Sequence, residues 1–402
     1  MSDKKAIARV VLAVAMIAVG IAHFTSPAGF VKIVPAWLPS AYALVLVSGA
    51  AEIAGGLGLL LPSTRRLAGL GLIALYLAVF PANINMATHA IQPIGTTLPT
   101  WVFYARLPLQ LVLIAWAWWV SRGGATRSSV DGGVVLVTGA SSGIGRELAM
   151  LIGPRAKAIV LAARRKDRLL ELSRELQART PHLQVLACAV DVTDQKAVDA
   201  MLEEITAAHG PVDVLVNNAG FGDLGVFDLT EWKRTEQMIA LNVTSLAYLT
   251  HRVLPGMVAR GRGGILNISS GFGLTFSPGL SGYVGTKHFV TGFTECLRLD
   301  LTGTGVMVTQ SCPGPVQTEF ADNIGNFTGA EVPKILEISA AHCARASLEA
   351  FDEGRALVVP GALMKVLVWI GVQTPRAITR FFYRPAARML RKKQQAVRAE
   401  KS

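Results

Sequence analysis

The sequence predicts an α/β chain built on a doubly wound parallel sheet, preceded by an all-α bundle of four membrane-spanning helices. Three observations predict it. Short apolar strands alternate with helical stretches after residue 134. A glycine-rich turn, Thr138-Gly-Ala-Ser-Ser-Gly-Ile-Gly145, directly follows the first of those strands. Before it, residues 1–120 hold most of the apolarity of a 402-residue chain that is 51% hydrophobic, only 16% charged and has a mean hydropathy of +0.43.

The first half contains four apolar segments, at about residues 6–22, 41–61, 67–87 and 101–120. Each approaches the ~20 residues that cross a hydrocarbon core as a helix. The first lacks a small-residue cleavage site leading into a polar mature chain, so it reads as a span and not as a signal peptide. Lys4, Lys5, Arg9, Arg65, Arg66, Arg122 and Arg127 fall on one side of the four spans, and Lys32 alone on the other. That bias places both termini, and the second half of the chain, in the cytoplasm. Trp101 at one end of the fourth segment and Trp116, Trp118 and Trp119 at the other fit interfacial belts.

Polar groups inside spans are costly. Here they are His23, Glu52, Asn83, Asn85, His89 and Arg106. They read either as a small polar pocket for a ligand such as a quinone or a lipid headgroup, or as internal pairs that hold the helices together. In the second reading Arg106 nearly bridges an offset of ~9 Å to Glu52. Gly49, Gly55, Gly56, Gly58, Gly69 and Gly71 read as close-packing positions. The stretches Gly20-Ile-Ala-His-Phe24, Ser48 to Pro62 and Phe80-Pro-Ala-Asn-Ile-Asn85 resemble the DoxX-like family of small four-helix membrane proteins. That resemblance implies architecture more than activity.

The net charge of +12 does not point to nucleic acid. From Arg376 onward nine Lys/Arg stand against one Glu, so the tail holds +8 of the +12. A basic tail on a membrane protein suits anionic lipid headgroups. Cys188, Cys296, Cys312 and Cys343 lie far apart with no Cys-x-x-Cys spacing. They argue for no metal site and no disulfide framework, and they fit a reducing compartment.

The small, polar, glycine-rich stretch 121–133 reads as a flexible tether. Strands follow at residues 134–137, 158–162, 185–189, 212–216, 264–268 and 306–311, with helices starting at 146 and spanning 166–179. In such sheets ligands sit at the carboxyl ends of the strands. Gly139, Gly143 and Gly145 let the backbone turn tightly against a pyrophosphate. Ser141, Ser142 and Ile144 complete that turn, and a helix N-terminus faces the anion. The second strand ends in Ala162-Ala-Arg164-Arg165, without an acid to take a ribose 2′-hydroxyl. Two guanidinium groups suit a 2′-phosphate, which favours NADP(H) over NAD(H). Tyr283 and Lys287 lie one helical turn apart. A phenol with a pKa near ~10 is a weak acid–base group at neutral pH, and the charge of Lys287 is expected to lower it.

Taken with Asp191-Val192, Asn217-Asn-Ala219-Gly220, Asn242, Ser270 and Pro313-Gly314, these motifs stand in the order and spacing of the short-chain dehydrogenase/reductase family. The chain is similar to that family over about residues 131–335. The resemblance implies a Rossmann fold and assigns roles. Asp191 and Val192 contact the adenine. Asn217, Ala219, Gly220, Pro313 and Gly314 line the cofactor cleft, and Thr318 touches the nicotinamide carboxamide. Lys287 holds the nicotinamide ribose, Ser270 hydrogen-bonds the substrate oxygen, and Asn242 anchors a water that relays protons to Lys287. Tyr283 is the general acid–base. Thr286 stands where many members have Ser. The family also implies a mobile loop at about residues 316–333 and a homodimer or homotetramer.

Phe320, Ile324 and Phe327 in that loop, with Phe221, Phe227, Phe272, Leu274 and Phe276 opposite, favour a lipophilic substrate. Residues 363–372 are almost wholly apolar. Thr374-Pro375 then opens a stretch with Arg376, Arg380, Arg384 and Arg388 at every fourth position. It reads as an interfacial helix kinked at Pro385; Lys365 and the short apolar run argue against a fifth span. The resulting division is a membrane domain over 1–120, a tether over 121–133, a dinucleotide-binding domain over 134–361 and a membrane-surface tail over 362–402. The expected activity is NADP(H)-dependent interconversion of a lipophilic carbonyl and a secondary alcohol by a membrane-tethered enzyme. The rival reading is a membrane sensor or assembly protein that binds NADPH and turns over little.

Overall fold

The computed structural model describes residues 3–61, 64–92, 99–121, 128–320, 324 and 333–400. The chain forms two compact units, Met1–Thr126 and Arg127–Ser402.

The first unit is helical: α1 (Asp3–Thr25), the short α2 (Pro27–Val31), α3 (Ala41–Leu60), α4 (Arg65–Thr88) and α5 (Thr100–Ser121). Four of these are long and apolar enough to cross a membrane, and they coincide with the four expected spans. The helix α2 was not legible, because five residues carry no periodicity. Helices α1 and α3 meet backbone to backbone. A Cβ on Gly49 would lie 2.6 Å from His23 Cβ and 2.9 Å from the Gly20 carbonyl, and one on Gly56 would lie 2.7 Å from the Ala13 carbonyl. Small residues permit this approach, which replaces hydrophobic driving force with packing contact. Polar side chains close the remaining gaps. Asn83 Nδ2 donates to Gln110 Oε1 at 3.2 Å, and Gln110 Nε2 donates to the Tyr76 carbonyl at 2.6 Å. Glu52 lies 3.6 Å from His23 Nδ1, and Arg106 is close enough to interact with its charge, as the second reading of the spans expects. The close α1–α3 contact adds His23 as a neighbour the sequence did not announce, since it brings that ring against the face that carries Ser48 and Glu52.

The second unit is built on a seven-stranded parallel sheet in the order β3-β2-β1-β4-β5-β6-β9. Its strands are β1 (Val134–Thr138), β2 (Ala158–Ala163), β3 (Gln184–Ala189), β4 (Val214–Asn217), β5 (Gly263–Ile268), β6 (Val306–Ser311) and β9 (Leu357–Val358). All five residues of β1 are buried, as a strand covered on both faces requires. Val135 and Val137 enter a core covered by α6 (Gly143–Ile152), α7 (Lys166–Arg179) and α12 (Ala340–Asp352). Val134 and Leu136 enter the opposite core, covered by α8 (Gln195–His209), α10 (Leu246–Ala259) and α11 (Ser281–Asp300). The order reverses between β1 and β4, so the crevice for a ligand opens where those two strands end. The six expected strands are present to within about two residues at each end. The seventh strand and the small pair β7 (Val316–Gln317) and β8 (Ile338–Ser339) have only two residues each, too few for a sequence pattern.

Two boundaries differ from expectation. The tether expected over 121–133 includes Ser128 and Val130, which are buried in the second unit, and Asp131, which pairs with Arg155 at 2.8 Å. Its residues 122–127 lie outside the described ones. In the tail, α13 (Ala362–Gln373) ends at Thr374, and α14 runs from Arg376 to Ala399 through Pro385. The Thr374 hydroxyl donates back to the Ile370 carbonyl at 2.7 Å, so it closes α13 and does not cap α14.

The β5 strand passes α12 so closely that a Cβ on Gly264 would stand 2.2 Å from the Phe351 ring. Phe351 is fully buried there. Phe351→Ala should therefore cost about 3–5 kcal/mol through lost transfer energy and the cavity left behind. Denaturant unfolding of the solubilised full chain, followed by tryptophan fluorescence, checks this.

Candidate active site

The site begins with the turn after β1. Gly139 has φ of +65° and Gly143 of +57°, both in the left-handed region that favours glycine. A Cβ on Gly139 would lie 2.9 Å from Ala219 Cα, and one on Gly145 would lie 2.4 Å from the Gly139 carbonyl. The β1 turn and the end of β4 therefore touch through bare backbone. Thr138 and Asn218 lock them together. Thr138 Oγ1 accepts the amides of Asn218 (3.0 Å) and Ala219 (3.1 Å), and Asn218 Nδ2 donates to the carbonyls of Thr138 and Gly139. Ser142 precedes α6 without capping it with its side chain, and Ile144 packs down onto the core. This cradle fits the pyrophosphate of a dinucleotide, since its glycines clear the backbone and the first turn of α6 offers N–H groups and positive dipole.

The adenosine end follows from β2 and β3. Arg164 and Arg165 are exposed at the end of β2. Arg165 donates to Ser141 Oγ at 3.1 Å, Ser142 Oγ at 2.9 Å and Glu319 Oε2 at 2.7 Å. Asp191 accepts from the backbone and hydroxyl of Thr193. Desolvation opposes its ionised form, but the Thr193 hydrogen bonds and the nearby charge of Arg164 hold its carboxyl below the usual range. Val192 is buried beside it. Asn217 departs from its expected place in the cleft. Its Nδ2 donates to Thr250 Oγ1 at 3.1 Å and Asn267 Oδ1 at 2.9 Å, in a buried network that ties β4 to β5 and α10. The reason is strand alternation, which turns a side chain at that register toward the face covered by α10.

The four expected catalytic residues converge. Tyr283 and Lys287 lie on the buried face of α11. Lys287 Nζ stands 5.9 Å from the Tyr283 ring centre and donates to the Ile268 carbonyl at 3.1 Å, where β5 ends. Ser270 follows β5; its Oγ accepts from Phe272 N at 3.2 Å and lies near enough to the phenol to favour its ionised form. Asn242 sits in a π-helical turn, Ala240–Ser245, between α9 (Trp232–Ile239) and α10. Such turns insert a residue and re-aim side chains. The Asn242 amide braces two elements: Oδ1 accepts from Phe221 N (3.1 Å), and Nδ2 donates to the Phe221 carbonyl (2.9 Å) and Thr286 Oγ1 (3.1 Å). Thr286 in turn donates to the Tyr283 carbonyl at 2.8 Å. A hydroxyl is thus required there, and threonine supplies it as well as serine.

Electrostatics at the pair differ from expectation. Burial pushes the Tyr283 phenol up to about 12, against the lowering effect of Ser270. Burial pushes the Lys287 ammonium down to about 8. Desolvation thus outweighs the depression of the phenol expected from Lys287, because both charges share one dry pocket. Cys312, fully buried beside them, is pushed up to about 12 by burial and stays a neutral thiol.

The remaining site residues frame this centre. The Pro313 carbonyl accepts from Gly271 N at 2.7 Å, joining the β6 end to the Ser270 turn. A Cβ on Gly314 would meet Met364 Cγ at 2.6 Å, and one on Gly143 would meet Thr318 Cγ2 at 3.0 Å. Phe221, Phe272, Phe320 and Ile324 pack around Tyr283, with the Phe320 ring 5.8 Å from it. Phe227 is exposed, and Phe276 instead stacks edge-on with Tyr383 of α14. Phe327 lies outside the described residues. Sequence reasoning passed over Leu224, Met238 and Leu280, which join the Tyr283 cluster, and the tail residues that reach it. No local pattern marks these; chain reversals bring them in.

Comparison with known proteins agrees with this architecture. A family model described as short chain dehydrogenase matches residues 133–328, and one for a domain of unknown function, DUF8561, matches residues 12–121. Sulfoacetaldehyde reductase 2 of Chromohalobacter salexigens is 40% identical over 192 residues, covering 46% of this chain and 74% of that protein. The NADP-dependent 3-hydroxy acid dehydrogenase of Schizosaccharomyces pombe is 35% identical over 202 residues, covering 48% of this chain and 75% of that protein. A solved short-chain dehydrogenase from Sphingobium yanoikuyae in complex with NADPH superposes with a TM-score of 0.52 at 32% identity, over 57% of this chain and 88% of that one. One from Burkholderia phymatum in complex with NAD gives 0.54 at 25% identity, over 60% and 93%. With the glycine cradle, the parallel sheet and the Ser270–Tyr283–Lys287 cluster in place, these matches establish that the chain belongs to the short-chain dehydrogenase family.

Proposed function

We propose that this chain is a membrane-tethered, NADP(H)-dependent reductase of lipophilic carbonyl compounds. The observation that carries the reading is the convergence of Tyr283, Lys287, Ser270 and Asn242 beside the β1–β4 cradle. When bound there, a nicotinamide dinucleotide supplies the hydride for the carbonyl carbon. The protein's share is proton handling and orientation. Ser270 donates a hydrogen bond to the substrate oxygen, which polarises the carbonyl. Tyr283 donates its phenolic proton as that oxygen gains negative charge. The Lys287 ammonium then stabilises the phenolate left on Tyr283, and the Asn242 amide holds the path by which protons return. Phe221, Phe272 and Phe320 exclude water and favour an apolar substrate body.

Arg164 and Arg165 support the preference for NADP(H), with Arg165 held against the Ser141-Ser142 turn that opens the cradle. The four apolar helices and the basic tail support attachment to a membrane, with the reductase in the cytoplasm. A DoxX-like character for the first unit, and a homodimer or homotetramer, remain parts of the same proposal.

Initial-rate assays of the solubilised full chain, with NADPH and a panel of lipophilic ketones and aldehydes, test it. Tyr283→Phe should lower kcat by about 10²–10⁴-fold while NADPH binding, followed by its fluorescence, persists. Retained turnover in that variant would reject the mechanism. Carbonyl reduction should also fall as pH rises through about 8, where Lys287 loses its proton. Tyr283, held at about 12, stays protonated across that range. Lys287→Arg should shift that limb to higher pH, since a guanidinium does not titrate there. Arg164→Ala combined with Arg165→Ala should raise KM for NADPH by about tenfold or more and change KM for NADH little, because only the former carries the 2′-phosphate.

A further inference from the structure

The two arginines that end β2 are held by different partners. Arg164 lies near Asp191 and lends it charge. Arg165 reaches the other way, across the turn that follows β1. Its Nη2 donates to Ser141 Oγ at 3.1 Å and to Ser142 Oγ at 2.9 Å, and its Nη1 donates to Glu319 Oε2 at 2.7 Å. Arg168, in the first turn of α7, stands 3.9 Å from the other oxygen of the same carboxylate. Glu319 therefore gathers guanidinium groups at the rim of the cradle. The Arg165 hydrogen bond holds its carboxyl below the usual range, so it is charged at neutral pH.

The placement of Glu319 follows from its neighbours in the chain. Thr318 lies against Gly143, where a Cβ would stand 3.0 Å from the threonine Cγ2, and the Phe320 ring is 5.8 Å from that of Tyr283. Both flanking residues are seated by the site, and the carboxylate between them is turned to the end of β2. The pair it makes there is weak. The side chains of Arg165 and Glu319 are 44% and 41% accessible, and an exposed ion pair contributes little because water and salt compete with it. Only one prong of the guanidinium meets the carboxylate, since Nη2 is taken by the two serines. A phosphate offers three acceptor oxygens and close to two negative charges, and it can engage both prongs.

Resting on the NADP(H) reading above, we propose that Glu319 is a built-in occupant of the 2′-phosphate site: its carboxylate holds Arg165 until the phosphate of NADP(H) displaces it, and so it sets how strongly the chain prefers NADP(H) over NAD(H). Removing the carboxylate frees Arg165 in advance and takes away a negative charge that faces the incoming phosphate. The ribose of NAD(H) carries a hydroxyl at that place and makes no such exchange. The preference is thus tempered by a residue of the loop after β6, beyond what the end of β2 dictates.

The test is calorimetric titration of the solubilised full chain with adenosine 2′,5′-bisphosphate and with AMP at physiological salt, beside fluorescence titrations with NADPH and NADH. Glu319→Gln keeps the shape of the side chain and removes its charge. It should tighten binding of the bisphosphate and of NADPH by about threefold to fivefold, the size of an exposed ion pair. Binding of AMP and NADH should change by less than about twofold, since salt screens the lost charge. With Arg165→Ala already in place, the gain from Glu319→Gln should largely vanish, because the carboxylate then has no guanidinium to withhold. Unchanged or weaker bisphosphate binding by Glu319→Gln, an equal gain with AMP, or a full gain that persists with Arg165→Ala overturns the exchange and leaves the NADP(H) reading standing. A wild type that binds the bisphosphate no tighter than AMP overturns the NADP(H) reading and the exchange with it.

Discussion

The close backbone approach between the end of β1 and the end of β4 is the contact on which the rest of the reductase unit depends. Gly139 and Gly145 remove the side chains that would hold the strands apart, and Thr138 with Asn218 supplies the hydrogen bonds that draw them together. Because the strand order reverses at this place, the same contact sets the floor of the ligand crevice. It also fixes where β5 ends relative to α6. That distance decides whether a group on the Ser270 turn can meet a dinucleotide held at the Gly143 turn. Thr318, lying against Gly143, brings the β6 loop back over the cradle.

A second constraint is dryness. Tyr283, Lys287 and Cys312 share one buried pocket, and burial drives each toward its neutral form. For Lys287 this brings the ammonium close to the working pH range, where a proton can be taken and returned. For Cys312 it removes a nearby negative charge that would compete for the lysine. The phenol, by contrast, stays protonated at neutral pH. The neutral braces around this pair are hydrogen bonds from Asn242 and Thr286, so geometry there is held without adding charge.

The C-terminal helices alter how the enzyme unit should be pictured. Composition alone marks them as apolar and basic, and that description suits a membrane surface. Packing adds that Met364 and Val368 lie against the Gly271 and Gly314 turns, while Tyr383 packs on Phe276 and Gln394 bonds the 226–229 turn. One element thus packs on those turns and, on its other side, presents exposed apolar and basic side chains. The two faces are separated by helical periodicity, so both properties coexist in about three dozen residues without conflict.

The sequence by itself determined the parallel sheet, the four long apolar helices, the glycine turn and the quartet Asn242, Ser270, Tyr283 and Lys287 that the fold brings together. Each of these is written locally, as strand length, apolar run, turn residue or a one-turn spacing on a helix, and local patterns survive without knowledge of the fold. Tertiary structure alone decided the remainder. The pairing of Glu52 with His23 depends on the α1–α3 approach, and the inward turn of Asn217 depends on its strand register. The bracing of Phe221 by Asn242 depends on a π-helical turn that no residue pattern announces. The edge-on packing of Phe276 against Tyr383 depends on a chain reversal about a hundred residues long. Contacts of that span are set by packing over the whole unit, and a linear sequence holds no period from which to read them.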